Sequence, residues 1–418
     1  MNVLFIILDA ASAAHMSAYG YPVKTTPNID KLAENSFVFA RAYTTAVFTR
    51  GSTSSLFTSL YPYVHEVVNF THGLPSGAKT LAEVFAENGY RTAMFTSNGN
   101  VSDQSGMNKG FLDYYSLFRQ FPEDLTSNII DWLKKHKDAK YFIYAHYRHP
   151  HPPFDAPLKL RVQFNKTHLP TLELNDPLVD GIYKGDLKFT KEQRDYLISQ
   201  YDANIYYVDQ SIQDVISYVL SNDYRKNTMI IIAADHGEAM GEHEAFGHGW
   251  DLHRETSWIP LIIYHPLYTG HHTISGLIDN VDIMPTLIEL LDLKGKPSLM
   301  QGNSFAECLV NSQCRTKSDV YVQSVSNKVF SVIDDHRQLI YDTIDRDWQF
   351  YDLNDDRDEK HNIFGINPIT TEYYQDKILR FIRINNSLKS TLFQTLGKQQ
   401  FQPTGEVLEN LKALGYIK

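Results

Sequence analysis

The sequence predicts an α/β protein, a mostly parallel sheet covered by helices on both faces, with a small antiparallel sheet near the C-terminus. Three observations carry that prediction. Unbroken apolar runs of strand length recur along the first 300 or so residues, and helical patterns lie between them. Beyond that point the rhythm changes to short strands separated by charged turns.

Asn2–Leu8, Thr92–Phe95, Tyr141–Ala145, Met229–Ala234 and Leu261–Tyr264 are short and wholly or largely apolar, as strands buried on both faces are. Asn28–Glu34 follows Thr26-Pro27 and Leu81–Asn88 ends at Gly89, the residues that start and stop helices. Glu192–Leu220 and Asp282–Leu291 carry apolar residues at helical spacing. Asp319–Gln323, Val329–Ile333, Leu339–Asp342 and Gln349–Tyr351 read as the antiparallel strands, with helices over Thr371–Ile384 and Gly405–Leu414. The polar stretch Gly302–Lys317 is the expected boundary, giving a catalytic α/β/α domain over 1–305 and an α+β subdomain over 306–418 packed on it.

The 418 residues include 39 Lys plus Arg against 49 Asp plus Glu, a net charge of −10, which argues against a sequence-independent nucleic-acid binder. No apolar run is long enough to cross a bilayer. The two cysteines, Cys308 and Cys314, provide neither a disulfide framework nor a thiolate zinc cluster. The N-terminus lacks a positive leader and runs straight into the first strand, so a cytoplasmic location is the expectation. The glycosylation patterns at Asn69, Asn165 and Asn385 carry no weight without secretion. Oligomeric state is not written in the sequence.

Ligands of a doubly wound sheet bind beyond the C-terminal ends of its strands, so the residues there are informative. Asp9 follows the first strand, and Ser97 and Asn98 follow the second. His146, His149 and His151 follow the third, and Asp235-His236 the fourth, with His243, His248 and His253 close behind. A carboxylate or imidazole directly after a buried strand needs a partner, and one shared cation is the simplest. Asp9, Asp235 and His236 suit a divalent ion, with Mn, Zn, Ca and Mg all open. Each alone could equally be a helix cap. Thr49-Arg50-Gly51-Ser52 leads into a short helix over Thr53–Leu60, which puts a hydroxyl at a helix N-terminus, where anions bind and where a metal can activate it. Capping by Thr49 or Ser52 is the plainer alternative. His243-Glu244 with His248 mimics the zincin motif, but the second histidine is one position late and glycines interrupt the helix. The 26 tyrosines could line a sugar cleft, though core packing is the commoner use.

These residues, in this order, resemble the sulfatase family of the alkaline-phosphatase superfamily along nearly the whole chain. Asn2–Asp9 resembles the opening strand with its metal-binding Asp, and Thr26–Ala33 the T-P-N-L-D-x-L-A helix. Leu56–Pro62 follows the nucleophile segment, Pro150–Phe154 resembles the P-H-x-P-Y turn, and Asp235–Glu238 the second metal motif. Val281–Thr286, Tyr351–Leu353 and the terminal Leu411–Tyr416 are similar to recurrent family segments. The departures are at the centre. Where sulfatases carry C-x-P-S-R and oxidise its first residue to formylglycine, this chain has Thr49, Arg50, Gly51, Ser52 and Thr53. Threonine cannot become that aldehyde, and the second Asp of the opening pair is Ala10.

The resemblance implies an alkaline-phosphatase-like fold and, with a threonine nucleophile, a hydrolase or transferase of phosphate or phosphonate esters, diesters above all. It implies one divalent metal held by Asp9, Thr49, Asp235 and His236. His151 and His248 would divide leaving-group protonation and anion binding, and Arg50, Asn98 and His146 would meet the substrate. The substrate would be a small or a glycan- or lipid-linked ester. Two alternatives stand beside this reading: a sulfuric ester hydrolase without formylglycine, and a degenerate binding protein of the same fold.

Overall fold

The computed structural model describes residues 1–118, 120–170, 189–221, 226–268, 270–310, 314, 316–397 and 399–416. The loop Asp155–Lys188, which would select substrate and has no readable motif, therefore lies partly outside the described residues.

The main sheet has β1 (Asn2–Leu8), β2 (Phe37–Tyr43), β3 (Arg91–Thr96), β4 (Asp113–Ser116), β5 (Tyr141–Tyr147), β6 (Thr228–Ala233), β7 (Leu261–Tyr264) and β8 (His272–Asp279). Its order is Trp258–Ile259, β2, β7, β6, β1, β5, β3, β4, with β8 also on β2. Strands β6, β1, β5, β3 and β4 are parallel neighbours, whereas β7 runs antiparallel between β6 and β2. Every residue of β1, β5 and β6 is buried, which is why these strands read as unbroken apolar runs. Because β1, β3, β5 and β6 point the same way, Asp9, Asn98, His146 and Asp235 emerge on one edge.

Helices α1 (Pro27–Ala33), α2 (Thr49–Thr58), α3 (Leu81–Glu87), α4 (Pro122–Lys135), α5 (Lys191–Ser221) and α6 (Ile283–Leu290) accompany this sheet. Thr80 closes a capping box with Glu83 at the start of α3. Helix α2 starts four residues earlier than the sequence reading placed it, at Thr49 itself. Strands β2 and β8 were not legible: Arg41 interrupts the first, and a bulge between Ile274 and Leu277 breaks the alternation of the second.

The antiparallel sheet is β9 (Val320–Gln323), β10 (Val329–Ile333), β11 (Arg337–Asp342) and β12 (Asp347–Asp352), in sequence order. It is followed by α7 (Pro368–Leu396), longer than expected, and α8 (Gly405–Ala413). Apolar clusters cross between the two parts: Val320, Val322 and Ile340 pack with Tyr43, Val47 and Leu277. Cys308 and Cys314 are bonded to each other, a single local bridge in the polar stretch rather than a framework.

A buried ion network pins that stretch. Lys317 Nζ lies 2.8 Å from both Asp279 and Asp282 and donates to Tyr61 Oη at 3.2 Å. Lys317→Met strands two buried carboxylates and is expected to cost about 3–5 kcal/mol of unfolding free energy, read from urea melts.

Candidate active site

Four side chains converge where β1, α2 and β6 meet. Asp9 and Asp235 follow β1 and β6, and both are buried, as is His236. Asp235 Oδ1 accepts from the backbone N–H groups of Ala10 (3.1 Å) and His236 (3.0 Å), so its other oxygen faces inward. Asn98 Nδ2 donates to Asp9 Oδ2, and His146 Nε2 donates to the same oxygen at 3.2 Å. Asp9 Oδ1 and Asp235 Oδ2 are thereby left without a hydrogen-bond partner among the described residues. The Nδ1–H of His236 donates to the Gly237 carbonyl at 2.9 Å, which leaves the Nε2 lone pair for the same space. It lies 3.8 Å from Asp9 Oδ1 and 3.5 Å from Asp235 Oδ2.

Converging carboxylate oxygens and an imidazole nitrogen fit a divalent cation, and the ligand atoms of Asp9, Asp235 and His236 lie within 4.8 Å of one another. Burial first, and then the mutual repulsion of the carboxylates, raises Asp235. Burial pushes Asp9 up to about 6, against the pull of His236 and Asn98. A second grouping, His243, His253 and Glu359, has both imidazoles already engaged. His243 bonds Glu255 (2.6 Å) and the Glu359 carbonyl (2.9 Å), and His253 bonds Asp251 (2.5 Å) and Tyr351 (3.2 Å). This network ties the C-terminal part to the first.

Thr49 is the first residue of α2, whose ten residues are all buried. Ser52 Oγ donates to the Asp235 carbonyl at 2.6 Å and accepts from Asn280 Nδ2 at 2.6 Å, fixing the helix start beside the carboxylates. Thr49 Oγ1 is thereby held 3.3 Å from His236 Nε2.

Tyr416, which the sequence reading did not single out, completes the group. Its hydroxyl lies 3.4 Å from Thr49 Oγ1, 2.5 Å from His151 Nε2 and 3.2 Å from His248 Nε2. The tautomers follow in turn. The Nδ1–H of His151 donates to the Pro152 carbonyl at 2.6 Å, so its Nε2 accepts from Tyr416. With the tyrosine proton spent there, His248 Nε2–H is the donor to the Tyr416 oxygen. Its Nδ1 then accepts from Glu238 Oε2 at 2.9 Å, which requires Glu238 to be protonated. Burial does this, pushing Glu238 up to about 8. Burial also lowers His151, helped by neighbouring His248, and holds His248 down to about 4, so both rings are neutral.

His146 and Asn98, expected at the substrate, instead share Asp9 Oδ2, and the second nitrogen of His146 accepts from Tyr144 Oη at 2.9 Å. Arg50 is fully buried beside Thr49 and donates to the Phe70 carbonyl.

A parallel sheet of this order, with two carboxylates and an imidazole at its strand ends, is the frame of a metal-dependent ester hydrolase or transferase of the alkaline-phosphatase type. The chain belongs to the sulfatase family: the family model described as Sulfatase matches residues 1–293. A second model, N-sulphoglucosamine sulphohydrolase, C-terminal, matches residues 241–380. The chain is 23% identical to an N-acetylglucosamine-6-O-sulfatase of Bacteroides thetaiotaomicron, over 87% of this chain and 82% of the relative. A solved structure of a protein in complex with its substrate D-glucosamine-2-N,6-O-disulfate superposes with a TM-score of 0.77 at 19% identity, covering 93% of this chain and 98% of the other. The phosphonate monoester hydrolase of Agrobacterium radiobacter gives a TM-score of 0.74 at 18% identity, covering 96% and 100%.

Proposed function

We propose that the protein hydrolyses or transfers phosphate or phosphonate esters, diesters foremost, through a covalent intermediate on Thr49. One observation carries this reading: where the family places its formylglycine, a threonine hydroxyl sits at the start of α2, 3.3 Å from His236 Nε2 and beside two unpartnered carboxylate oxygens. A divalent ion held there by Asp9, Thr49, Asp235 and His236 would lower the hydroxyl's pKa and offset charge on the transferred group. Asn98 and His146 serve as positioning residues, turning Asp9 Oδ1 toward the site.

In the first step the Thr49 oxygen bonds to phosphorus as the bond to the leaving oxygen breaks. The Thr49 proton passes through Tyr416, whose own proton goes to His151 Nε2, and the protonated His151 then delivers it to the leaving oxygen. His248 Nε2–H, fixed by Glu238, donates to an oxygen of the transferred group. Water or an acceptor alcohol then attacks phosphorus, giving its proton to His151 Nε2, and the bond to the Thr49 oxygen breaks as the path runs in reverse, through Tyr416, and returns a proton to Thr49.

The test is turnover of bis(4-nitrophenyl) phosphate, 4-nitrophenyl phenylphosphonate and 4-nitrophenyl sulfate with added Mn²⁺, Zn²⁺, Ca²⁺ or Mg²⁺. Release of nitrophenol from either phosphorus ester is the expected result. Release from the sulfate alone would replace this reading with sulfate-ester hydrolysis, which the sulfatase family model favours. Tyr416→Phe breaks the proton path and is expected to lower kcat about tenfold or more with little change in KM, measured by steady-state kinetics.

A further inference from the structure

Two cations buried near the strand ends and the domain boundary sit on carboxylates. Arg148 pairs with Asp155 at 2.5 Å, and Lys317 lies 2.8 Å from Asp279 and Asp282. Arg50 is 0% exposed, yet among the described residues no carboxylate pairs with it and its Nε and Nη2 have no hydrogen-bond partner. Its contacts are the Phe70 carbonyl, through Nη1, and the ring of Phe401, 4.4 Å from Cζ. A cation–π contact and one neutral acceptor recover only a small part of the desolvation that burying an unpaired guanidinium entails, so the contacts present do not account for it. Guanidinium does not shed its proton in the neutral range, so the mismatch persists as an uncompensated positive charge.

Arg50 is the second residue of α2, and the dipole of that ten-residue helix adds to the positive potential there. It is not aimed at the bond-breaking centre. Successive helix residues diverge by about 100°, so Arg50 and Thr49 face different sides. Thr49 meets His236 and Tyr416, and Arg50 meets Phe70 and Phe401. The two sides share one cover, since the ring of Tyr416 packs 4.8 Å from that of Phe70.

We infer that Arg50 is the receptor of a second anion subsite, which takes an acidic group carried by the substrate apart from the ester that reacts. The substrates are then doubly acidic esters, with a carboxylate, sulfate or phosphate on the non-reacting part. Nε and Nη2, the two donors left open, form one edge of the guanidinium, the edge that two oxygens of an oxyanion engage together. This inference rests on the reading of Thr49 as the reacting centre.

Binding, not turnover, tests it. Phenylphosphonate and its 2-, 3- and 4-carboxy derivatives would be titrated calorimetrically into the manganese-supplemented protein. Benzenesulfonate and its three carboxylated isomers would be titrated in parallel, so that a sulfate-selective site also reports. In at least one series, one carboxylated isomer is expected to bind about tenfold tighter than its parent compound. Arg50→Met should erase that preference and Arg50→Lys should keep part of it, because a point charge replaces the fork. Arg50→Met should also melt at or above the temperature of the unsubstituted protein, since an unpaired buried charge is removed. The subsite is overturned if no isomer is preferred in either series, if the preference survives Arg50→Met, or if Arg50→Met melts lower while Arg50→Lys shows no preference. Because the readout is an affinity ratio, absence of a phosphoenzyme on Thr49 would sink the earlier reading while leaving this ratio intact.

Discussion

Thr49→Ala is expected to lower phosphorus-ester turnover by about 10⁴-fold or more, the loss that follows when a covalent nucleophile is removed. The fold should survive, because the Thr49 side chain makes no bond within α2 and its removal deletes only a few buried atoms. Its melting temperature should therefore stay close to that of the unsubstituted protein. Thr49→Ser keeps the oxygen and should retain activity within about tenfold of the original. Intact-mass spectrometry after acid quench should show a phosphoryl adduct on the unsubstituted protein and none on Thr49→Ala. Full activity in Thr49→Ala, or an adduct that maps elsewhere, would end the mechanism. The experiment also separates the two chemistries the family brackets, because the formylglycine route has no use for a threonine oxygen.

Much of this site is legible before any coordinates. A run such as Val3–Leu8, buried on both faces, cannot be followed by Asp9 without a partner for the carboxylate, and the same holds for Asp235 after β6. Parallel strands then bring those ends to one edge. The start of α2 was less clear. Thr49-Arg50-Gly51-Ser52 has weak helical pattern, and burial of all its residues holds it helical.

Direction is harder to read than position. Strand-end spacing places Asn98 and His146 near the site, but their hydrogen bonds turn them toward Asp9 Oδ2 rather than outward. Tyr416 was out of reach for another reason. It meets Thr49 across 367 positions of sequence, through α8, where Asn410 accepts from Gly99 N at 2.7 Å and donates to the Phe118 carbonyl at 2.8 Å. No local periodicity encodes such a return. The one available signal was the terminal Leu411–Tyr416 segment, which resembles a recurrent family piece yet shows no chemistry by itself.

Asp235→Asn is expected to reduce bound metal to less than about a tenth of the unsubstituted protein's content, measured by plasma mass spectrometry. Asparagine keeps an oxygen for the backbone N–H groups of Ala10 and His236 that Asp235 Oδ1 serves, and replaces only the unpartnered Oδ2. Loss of metal is thus separable from loss of the turn. The carboxylates add a pH signature to the metal-free protein. Asp9 moves from 3.8 to about 6 on folding, driven by burial, so between those values the native state holds a proton that the unfolded chain has released. Stability from this group is present at low pH and is lost as pH rises through about 6. At about 1.4 kcal/mol per unit the loss is roughly 3 kcal/mol. Glu238, raised to about 8, extends the decline upward. Chelator-treated protein should therefore melt at falling temperature from pH 5 to pH 8, and the metal-loaded protein should fall less steeply, because the cation replaces the proton on Asp9 while the one on Glu238 is still lost. In chelator-treated Asp235→Asn the decline should be shallower, since one of the two facing carboxylates is gone. Equal metal content in Asp235→Asn, or the same pH slope with and without chelator, would remove the cation from the site and leave Asp9 and Asp235 as a proton-sharing pair.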